Sequence, residues 1–186
     1  HLAKTFTTSP WIKDARALAL EIQQSTGQPV SVELQNDEEL KLLALRGVMQ
    51  SDPDKGVPII EKMLAGGASP RVRERALFVL SQSRAPRAHE VIVNTAKNPA
   101  NPDLQRTAIR YIGMMGNAAD RDALAGIYRG AADSSVKRAV INALFMQQNA
   151  KSLVEIARAE KDATLKRDIV QKLSVMHAPE ATDYML

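Results

Sequence analysis

Arginines alternate with other residues in the segment SPRVRERALFVLSQS, residues 69–83, where Arg71, Arg73 and Arg75 precede a run of aliphatic side chains. A guanidinium group donates two parallel hydrogen bonds to a carboxylate or a phosphate, so a row of arginines can bind an acidic peptide or a nucleic acid. A long cationic side chain can also lie with its stem along an apolar surface and serve packing alone. The elements that carry the arginines decide between these roles.

Groups suited to catalysis or metal binding are sparse. The histidines are His1, His89 and His177, and no two of them stand four residues apart on one helix. The chain has no cysteine, which excludes thiolate zinc sites, cysteine nucleophiles and disulfides. The segment YIGMMG, residues 111–116, follows a helical pattern, so we interpret its glycines as a helix end rather than a phosphate loop. We predict no catalytic residue, no metal site and no cofactor.

Composition indicates a soluble all-α protein. The 186 residues are 45% hydrophobic, which suffices for one substantial core. Only 4% are aromatic, and alternating β-type patterns are missing, which favours helices. No apolar stretch approaches the roughly 20 residues of a membrane span, so we expect no membrane insertion.

Charge and the first residue bear on partners and compartment. The formal net charge is +4, which indicates mild attraction to anionic partners and falls short of a dedicated nucleic-acid arm. The chain begins with His1 rather than Met, so we expect a processed or excised N-terminus. The sequence leaves the compartment open between cytoplasm and periplasm.

Apolar residues recur in register over residues 37–186. The first apolar position of each unit is its anchor, and the anchors are 32 residues apart three times and 29 apart once: Leu40, Val72, Leu104, Val136 and Leu165. The residues four, five and eight positions after each anchor are also apolar. These offsets place the side chains on one broad face of a helix.

Each unit predicts a pair of helices. Short capping residues precede the first helix, as at Ser69-Pro70 and Asn101-Pro102, where proline suits the first turn. Turn residues follow, and then second, shorter helices are predicted at residues 59–64, 91–96, 124–128 and 153–157. Because neither helix can bury its apolar face alone, the pairs predict a stacked α-solenoid.

The pattern Asp/Ser/Asn-Pro-x-Val-Arg-x-x-Ala occurs as SPRVRERA and more loosely as NPDLQRTA and DSSVKRAV. It resembles the HEAT-like repeats of the bilin-lyase type. The resemblance covers residues 37–186 and implies a right-handed α-α superhelix of about four and a half helix-pair repeats. It implies little about function, because such solenoids serve as scaffolds, adaptors, chaperone-like factors and occasionally enzymes.

Both ends of the chain depart from the repeat. The segment SPWIKDARALALEIQQSTG, residues 9–27, predicts one capped amphipathic helix. We interpret residues 1–36 as a cap or the end of a preceding helical region, and residues 37–186 as the repeat domain. The fifth unit is truncated at EATDYML, where its second helix should begin. We therefore expect its exposed apolar end to favour association through the C-terminus.

The position one residue after each anchor lies inside the apolar arc. It is occupied by Lys41, Arg73, Gln105, Lys137 and Lys166. A cation there must place its stem along neighbouring helices, so we expect its head to reach carbonyls or the capping residues Asp133 and Asp162. The resemblance implies the same role, because the family forms a ladder of Asp and Arg between repeats.

The outward arc of the first helices carries the candidate partner-binding residues. In the family that the chain resembles, the helix with the Val-Arg motif usually lines the concave surface, so this arc would face a groove. Arginines spaced about 10 Å apart between repeats could bind an acidic peptide, a carboxylate-rich surface or a phosphate backbone. A plain solvated surface is the alternative. The candidates are Arg46, Arg75, Phe78, Arg106, Arg110, Arg138, Asn142, Arg167 and Gln171.

We predict a non-catalytic interaction scaffold or adaptor that binds an unknown protein or acidic peptide along this groove. The alternative in another class is a sequence-independent binder of nucleic-acid phosphates. Glu74 and Asp168 interrupt the arginines, which disfavours that alternative. Phe78, Tyr111 and Phe145 occupy different columns, so we interpret them as core residues rather than as a stacking ladder.

A third hypothesis is a subunit of a HEAT-like lyase or glycosylase. HEAT-repeat deoxyhypusine hydroxylases assemble their di-iron site from several His-Glu pairs, whereas this chain has the single pair His89-Glu90, and we interpret His89 as a partly exposed helix residue. HEAT-like DNA glycosylases use tryptophans in the groove, and the single Trp11 lies outside the repeats. Neither set of residues supports assigning the hydroxylase or the glycosylase activity to this chain.

Overall fold

The computed structural model describes residues 35–66 and 68–186, and this part of the chain contains helices and no strand. The ten helices, in chain order, are α1 (Gln35–Ser51), α2 (Pro53–Ala65), α3 (Pro70–Ser81), α4 (Pro86–Lys97), α5 (Pro102–Met115), α6 (Arg121–Gly130), α7 (Ser134–Met146), α8 (Ala150–Ala159), α9 (Ala163–Ser174) and α10 (Pro179–Met185). A short 3₁₀ turn at Ala118–Asp120 precedes α6. The odd-numbered helices are the first helices of the five predicted units, and the even-numbered helices are the second.

The helices begin where the capping residues predict. Ser69 Oγ accepts a hydrogen bond from the Val72 N–H at 3.4 Å, and Asn101 Oδ1 accepts one from the Leu104 N–H at 3.0 Å. Asp133 and Asp162 accept hydrogen bonds from the first turns of α7 and α9 in the same way. Each cap satisfies an amide that the helix itself leaves free. These short polar residues therefore fix the register of the repeat.

The core runs between the layer of first helices and the layer of second helices. First helices pack on the first helices of adjacent units, second helices on second helices, and each second helix on the first helix of the following unit. The predicted apolar columns are fully buried in the central units, as at Leu77, Ile109, Ile141 and Leu144. The all-α solenoid is therefore confirmed, and its right-handed course stays a prediction.

The terminal units differ from the central ones. In the first unit, Leu40 is 37% exposed although the pattern predicts an apolar contact there. In the fifth unit, Pro179–Met185 form α10, a second helix of seven residues with Ala181 buried. The helix predicted at residues 9–27 lies outside the described residues, so the division at residue 36 stays a prediction.

The glycines of YIGMMG belong to a helix and its end, as the sequence indicates. One follows the last turn of the helix, and the other lies where this helix packs on a neighbour. Gly116 follows α5 with a φ of 67°, a left-handed conformation that glycine adopts without steric cost. Gly113 is buried where α5 meets α7, and a Cβ atom there would lie 2.7 Å from Ala143 Cα. The absence of a side chain lets the two backbones approach.

No helix among the described residues combines the length and apolar character that a bilayer span requires.

Candidate partner-binding face

In the central units, the residue that follows each anchor contributes to packing between helices. Gln105 Nε2 donates a hydrogen bond to the Ala96 carbonyl at 2.9 Å and is buried. Lys137 Nζ donates to Glu160 Oε2 at 3.1 Å and lies 5.1 Å from the ring centroid of Tyr128. Arg73 has a buried Nε without a hydrogen-bond partner among the described residues. Lys166 is exposed, so the prediction fails in the last unit.

The expected acidic partners of this column were wrong. Asp133 and Asp162 bind the backbone of their own helices, and the acid that Lys137 contacts is Glu160. Glu160 directly follows α8 and falls in no apolar column, so periodicity could not select it. Its position beside Tyr128 links the third and fourth units.

Hydrogen bonds surround the Glu160 carboxylate. Its Oε2 accepts from the Tyr128 hydroxyl as well as from Lys137, and its Oε1 accepts from the Lys161 and Asp162 amides, both at 2.8 Å. The hydrogen bond from Tyr128 and these other donors lower the pKa of Glu160 to about 2. Burial and the nearby carboxylate raise the pKa of Tyr128 above its usual range. Every polar group of the cluster is used internally.

A second polar pair lies between α4 and the turn before α6. His89 Nε2 is 2.8 Å from Asp120 Oδ1, and Asn117 Nδ2 lies 3.4 Å from the same ring nitrogen. Asp120 is only 4% exposed, and its Oδ2 has no partner among the described residues. His89 is partly exposed as predicted, but its contact with Asp120 could not be predicted from the sequence pattern. Within residues 35–66 and 68–186, no three His, Asp or Glu side chains are grouped for metal binding.

The predicted outward arc is exposed on one side of the solenoid. All nine candidates lie on first helices, from Arg46 on α1 to Gln171 on α9, and we call the surface they occupy the first-helix face. Eight of the nine are exposed, and Arg106 is half-buried. The structure thus places them on one accessible surface, and their role in binding stays a prediction.

A cavity of about 620 Å³ lies on this face between α5 and α7. We call it the α5–α7 cavity, and its lining consists of Glu74, Asp103, Arg106, Thr107, Arg110, Ala139, Asn142, Ala143, Phe145 and Met146. Arg106 forms an ion pair with Asp103 and donates to Ser135 Oγ at 2.9 Å. Two arginines and two carboxylates balance each other in this lining.

A second cavity of about 380 Å³ lies between α7 and α9. This α7–α9 cavity is lined by Arg138, Asn142, Thr164, Arg167, Asp168, Gln171 and Lys172. Lys172 Nζ is 2.7 Å from Asp168 Oδ1. Neither Arg138 nor Arg167 has an ion pair or side-chain hydrogen bond within the described part of the chain. Three cations face one carboxylate here, which leaves two positive charges uncompensated.

Aromatic rings contribute to the same face. The interpretation as a core residue is wrong for the exposed Phe78, whereas Tyr111 and Phe145 are partly buried and pack against the core. Phe78 is 38% exposed, lies 6.4 Å from the ring centroid of Tyr111, and has the Arg46 guanidinium 5.9 Å away. Arg110 lies 5.6 Å from the ring centroid of Tyr111. Phe145 is half-buried and lines the α5–α7 cavity. The different columns bring rings of adjacent units together because neighbouring helices are offset.

The stacked helix pairs and their exposed first helices define an α-solenoid of short repeats. The family model of HEAT repeats matches residues 57–144, from α2 into α7, and with the repeated helices it identifies the chain as a HEAT-like repeat protein. The narrower resemblance to the bilin-lyase type stays a prediction. No curated protein matches the sequence. HEAT repeats commonly serve as protein-interaction scaffolds, and their fold is typically non-enzymatic.

Proposed function

We propose that this chain is a protein-interaction scaffold whose partner binds along the first-helix face over α5, α7 and α9. The observation that carries the proposal is the pair of uncompensated cations, Arg138 and Arg167, in a cavity beside the partly apolar α5–α7 cavity. Unpaired guanidinium groups beside exposed apolar surface are typical of protein interfaces, where arginine and aromatic residues are enriched.

The two polar clusters on the side of the second helices, around Glu160 and Asp120, offer little to a partner. Both clusters are directed into the solenoid, since Glu160 is 6% exposed and binds four donors while Asp120 is buried against His89. A carboxylate that already accepts four hydrogen bonds gains little from a ligand, and a buried carboxylate is out of a partner's reach. The contrast between these buried clusters and the exposed cations of the α7–α9 cavity supports placing the partner on the first helices.

The nucleic-acid alternative has weaker support. Arg138 and Arg167 could contact phosphates, but Glu74, Asp103 and Asp168 line the same two cavities. A phosphate backbone would have to pass these carboxylates, at a cost in repulsion. A role as a lyase or glycosylase subunit has no grouped set of reactive side chains to support it among the described residues.

The test is affinity capture from a nuclease-treated extract of the source organism, with variants of equal charge. The first variant carries Arg110→Glu, Arg138→Glu and Arg167→Glu on the first helices. The control carries Arg84→Glu, Arg121→Glu and Arg129→Glu, which are exposed and lie outside the first helices. Circular dichroism and thermal melting establish that both are folded. We expect the first variant alone to lose the captured proteins.

Site-specific photo-crosslinking sharpens the result. A photoreactive residue at position 142, which lines both cavities, should join the captured partner, whereas one at exposed position 155 on α8 should not. Equal loss of capture in both charge variants would show a dependence on net charge only. Capture that disappears with nuclease, or crosslinks from position 155 alone, would refute the proposed binding face.

A further inference from the structure

We infer that the two cavities form one composite site for an extended peptide that carries a large apolar side chain and, about three residues away, a carboxylate. The inference rests on the proposed scaffold function and specifies the ligand. The apolar side chain occupies the α5–α7 cavity, and the carboxylate binds Arg138 and Arg167 in the α7–α9 cavity.

The charges of the two cavities differ, which assigns a different group to each. In the α5–α7 cavity the two arginines face Glu74 and Asp103, and Arg106 is already bound to Asp103 and Ser135. An added carboxylate would find no surplus positive charge there. The α7–α9 cavity has a surplus of two cations, and planar guanidinium groups bind a carboxylate with paired hydrogen bonds.

The α5–α7 cavity supplies an apolar wall. Ala139, Ala143, Phe145 and Met146 form this wall, and Met146 is 49% exposed. A volume of about 620 Å³ admits a leucine-sized or aromatic side chain. A methionine at the rim can adapt to such a group because its thioether chain is flexible. This cavity therefore favours a ligand with an apolar anchor.

The cavities adjoin, which sets the distance between the two ligand groups. Asn142 lines both, and Lys172 Nζ of the α7–α9 cavity lies 5.8 Å from the ring centroid of Phe145 in the α5–α7 cavity. Packed helices are about 10 Å apart. An extended peptide rises about 3.3 Å per residue, so about three residues cover one repeat.

Two amide side chains can hold the peptide backbone between these anchors. Asn142 and Gln171 occupy the same column in consecutive units, are exposed, and have no side-chain hydrogen bond within the described residues. A primary amide both donates and accepts, as the peptide main chain does. An extended backbone crossing the face can therefore pair with both.

The test uses ten-residue peptides of glycine and serine that contain one leucine and one aspartate separated by one to six positions, in both orders. Binding to the isotope-labelled chain is followed by NMR, through the side-chain amide signals of Asn142 and Gln171 and the Nε–H signals of Arg138 and Arg167. We expect the tightest binding when the leucine and the aspartate are about three residues apart. A uniform response to all spacings would overturn the composite site.

A double-mutant cycle separates the carboxylate contact from general attraction. Replacing the peptide aspartate by asparagine should weaken binding to the wild type about fivefold and should have no further effect on R138Q/R167Q. The matched control R121Q/R129Q, on α6, should bind like the wild type. Equal affinity of the two peptides for the wild type would refute the inference, as would equal sensitivity of R138Q/R167Q.

A parallel cycle tests the apolar anchor. Replacing the peptide leucine by serine should weaken binding to the wild type and should have little effect on Met146→Ser, since the variant has already lost the rim contact. Tighter binding of a ten-nucleotide oligothymidylate than of any peptide, at the same NMR signals, would overturn the peptide in favour of nucleic acid. Crosslinks from position 142 to a captured protein without peptide binding would refute this inference and leave the scaffold function standing.

Discussion

The junction between α5 and α7 differs from the junction between α7 and α9, although the two are related by the repeat. At the first, Gly113 lies against Ala143, Gln147 Nε2 donates to the Ile112 carbonyl at 3.1 Å, and Arg106 donates to Ser135. Within the described residues, no hydrogen bond crosses from α7 to α9. Arg138 and Arg167 thus lie where, in the described part of the chain, no hydrogen bond joins the first helices.

The size of the residues at two repeat positions accounts for the difference between the α5–α7 and α7–α9 junctions. The position nine residues after the anchor is Gly113 in the third unit and Phe145 in the fourth, and the position seven after it is Ala143 in the fourth unit and Lys172 in the fifth. Gly113 and Ala143 let two backbones meet, whereas the Phe145 ring and the Lys172 ammonium lie 5.8 Å apart and occupy that space. The same repeat therefore gives two kinds of junction. We call the junction between α5 and α7, where the backbones meet, the closed junction, and the junction between α7 and α9, where side chains occupy that space, the open junction.

The largest expected effect comes from a substitution that prevents α5 and α7 from packing closely. Gly113→Ala places a Cβ atom 2.7 Å from Ala143 Cα, so the helices must separate, and we expect a loss of about 2 to 3 kcal/mol in the free energy of unfolding. Urea denaturation measures it. Gly126→Ala, at an exposed position of α6 with no atom within 4 Å, should instead stabilise by about 0.5 to 1 kcal/mol. A neutral Gly113→Ala would refute the closed junction.

The next effect concerns Glu160, which ties α7 to the second helices. We expect Glu160→Gln to lower the free energy of unfolding by about 2 kcal/mol at neutral pH, because the charged hydrogen bonds from Tyr128 and Lys137 are lost. The pKa of Glu160 is lowered to about 2 from 4.5, so its contribution is complete above about pH 4.5 and declines as the pH falls toward 2. The two proteins should converge in stability near pH 2. Glu155→Gln, exposed on α8, is the control.

A smaller effect tests the hydrogen bond across the closed junction. Gln147→Ala removes the donor to the Ile112 carbonyl, and we expect a loss of about 1 kcal/mol. Gln82→Ala changes an exposed glutamine at the end of α3 that has no side-chain hydrogen bond among the described residues, so its midpoint in urea should stay within error of the wild type. Equal shifts for both variants would mean that the cross-junction bond contributes nothing.

The smallest effect belongs to the open junction. R138Q/R167Q should change the free energy of unfolding by less than about 0.5 kcal/mol, because neither guanidinium has a partner in the described part of the fold. Thermal melts at low and high salt measure the change. A loss of more than about 1 kcal/mol would show that these arginines stabilise the solenoid and are not held available for a ligand.

Features repeated along the chain could be predicted from the sequence. The caps at Ser69 and Asn101 and the buried column through Leu77, Ile109 and Ile141 follow from short-range rules, because each depends on one helix and its own turn. The exposure of the outward arc follows from the same periodicity. These local rules gave both the solenoid and the accessible face.

Contacts between units could not be predicted in the same way. Phe78 meets Tyr111 although they stand at different offsets, and Lys137 meets Glu160, which belongs to no column. The buried Asp120 beside His89 likewise lies in a turn where periodicity has no meaning. Such contacts depend on the offset and separation of neighbouring helices, which the repeat length alone does not determine.

The stacking of each helix on neighbouring units also bears on how the chain folds. Contacts join segments that are close in sequence, so little loop entropy is lost as each unit adds to the next, and folding should be fast for a chain of 186 residues. Stability in such an array is a sum over units and their junctions. Amide hydrogens of α5 and α7, which meet at the closed junction, should therefore exchange with solvent more slowly than those of α1 or α10.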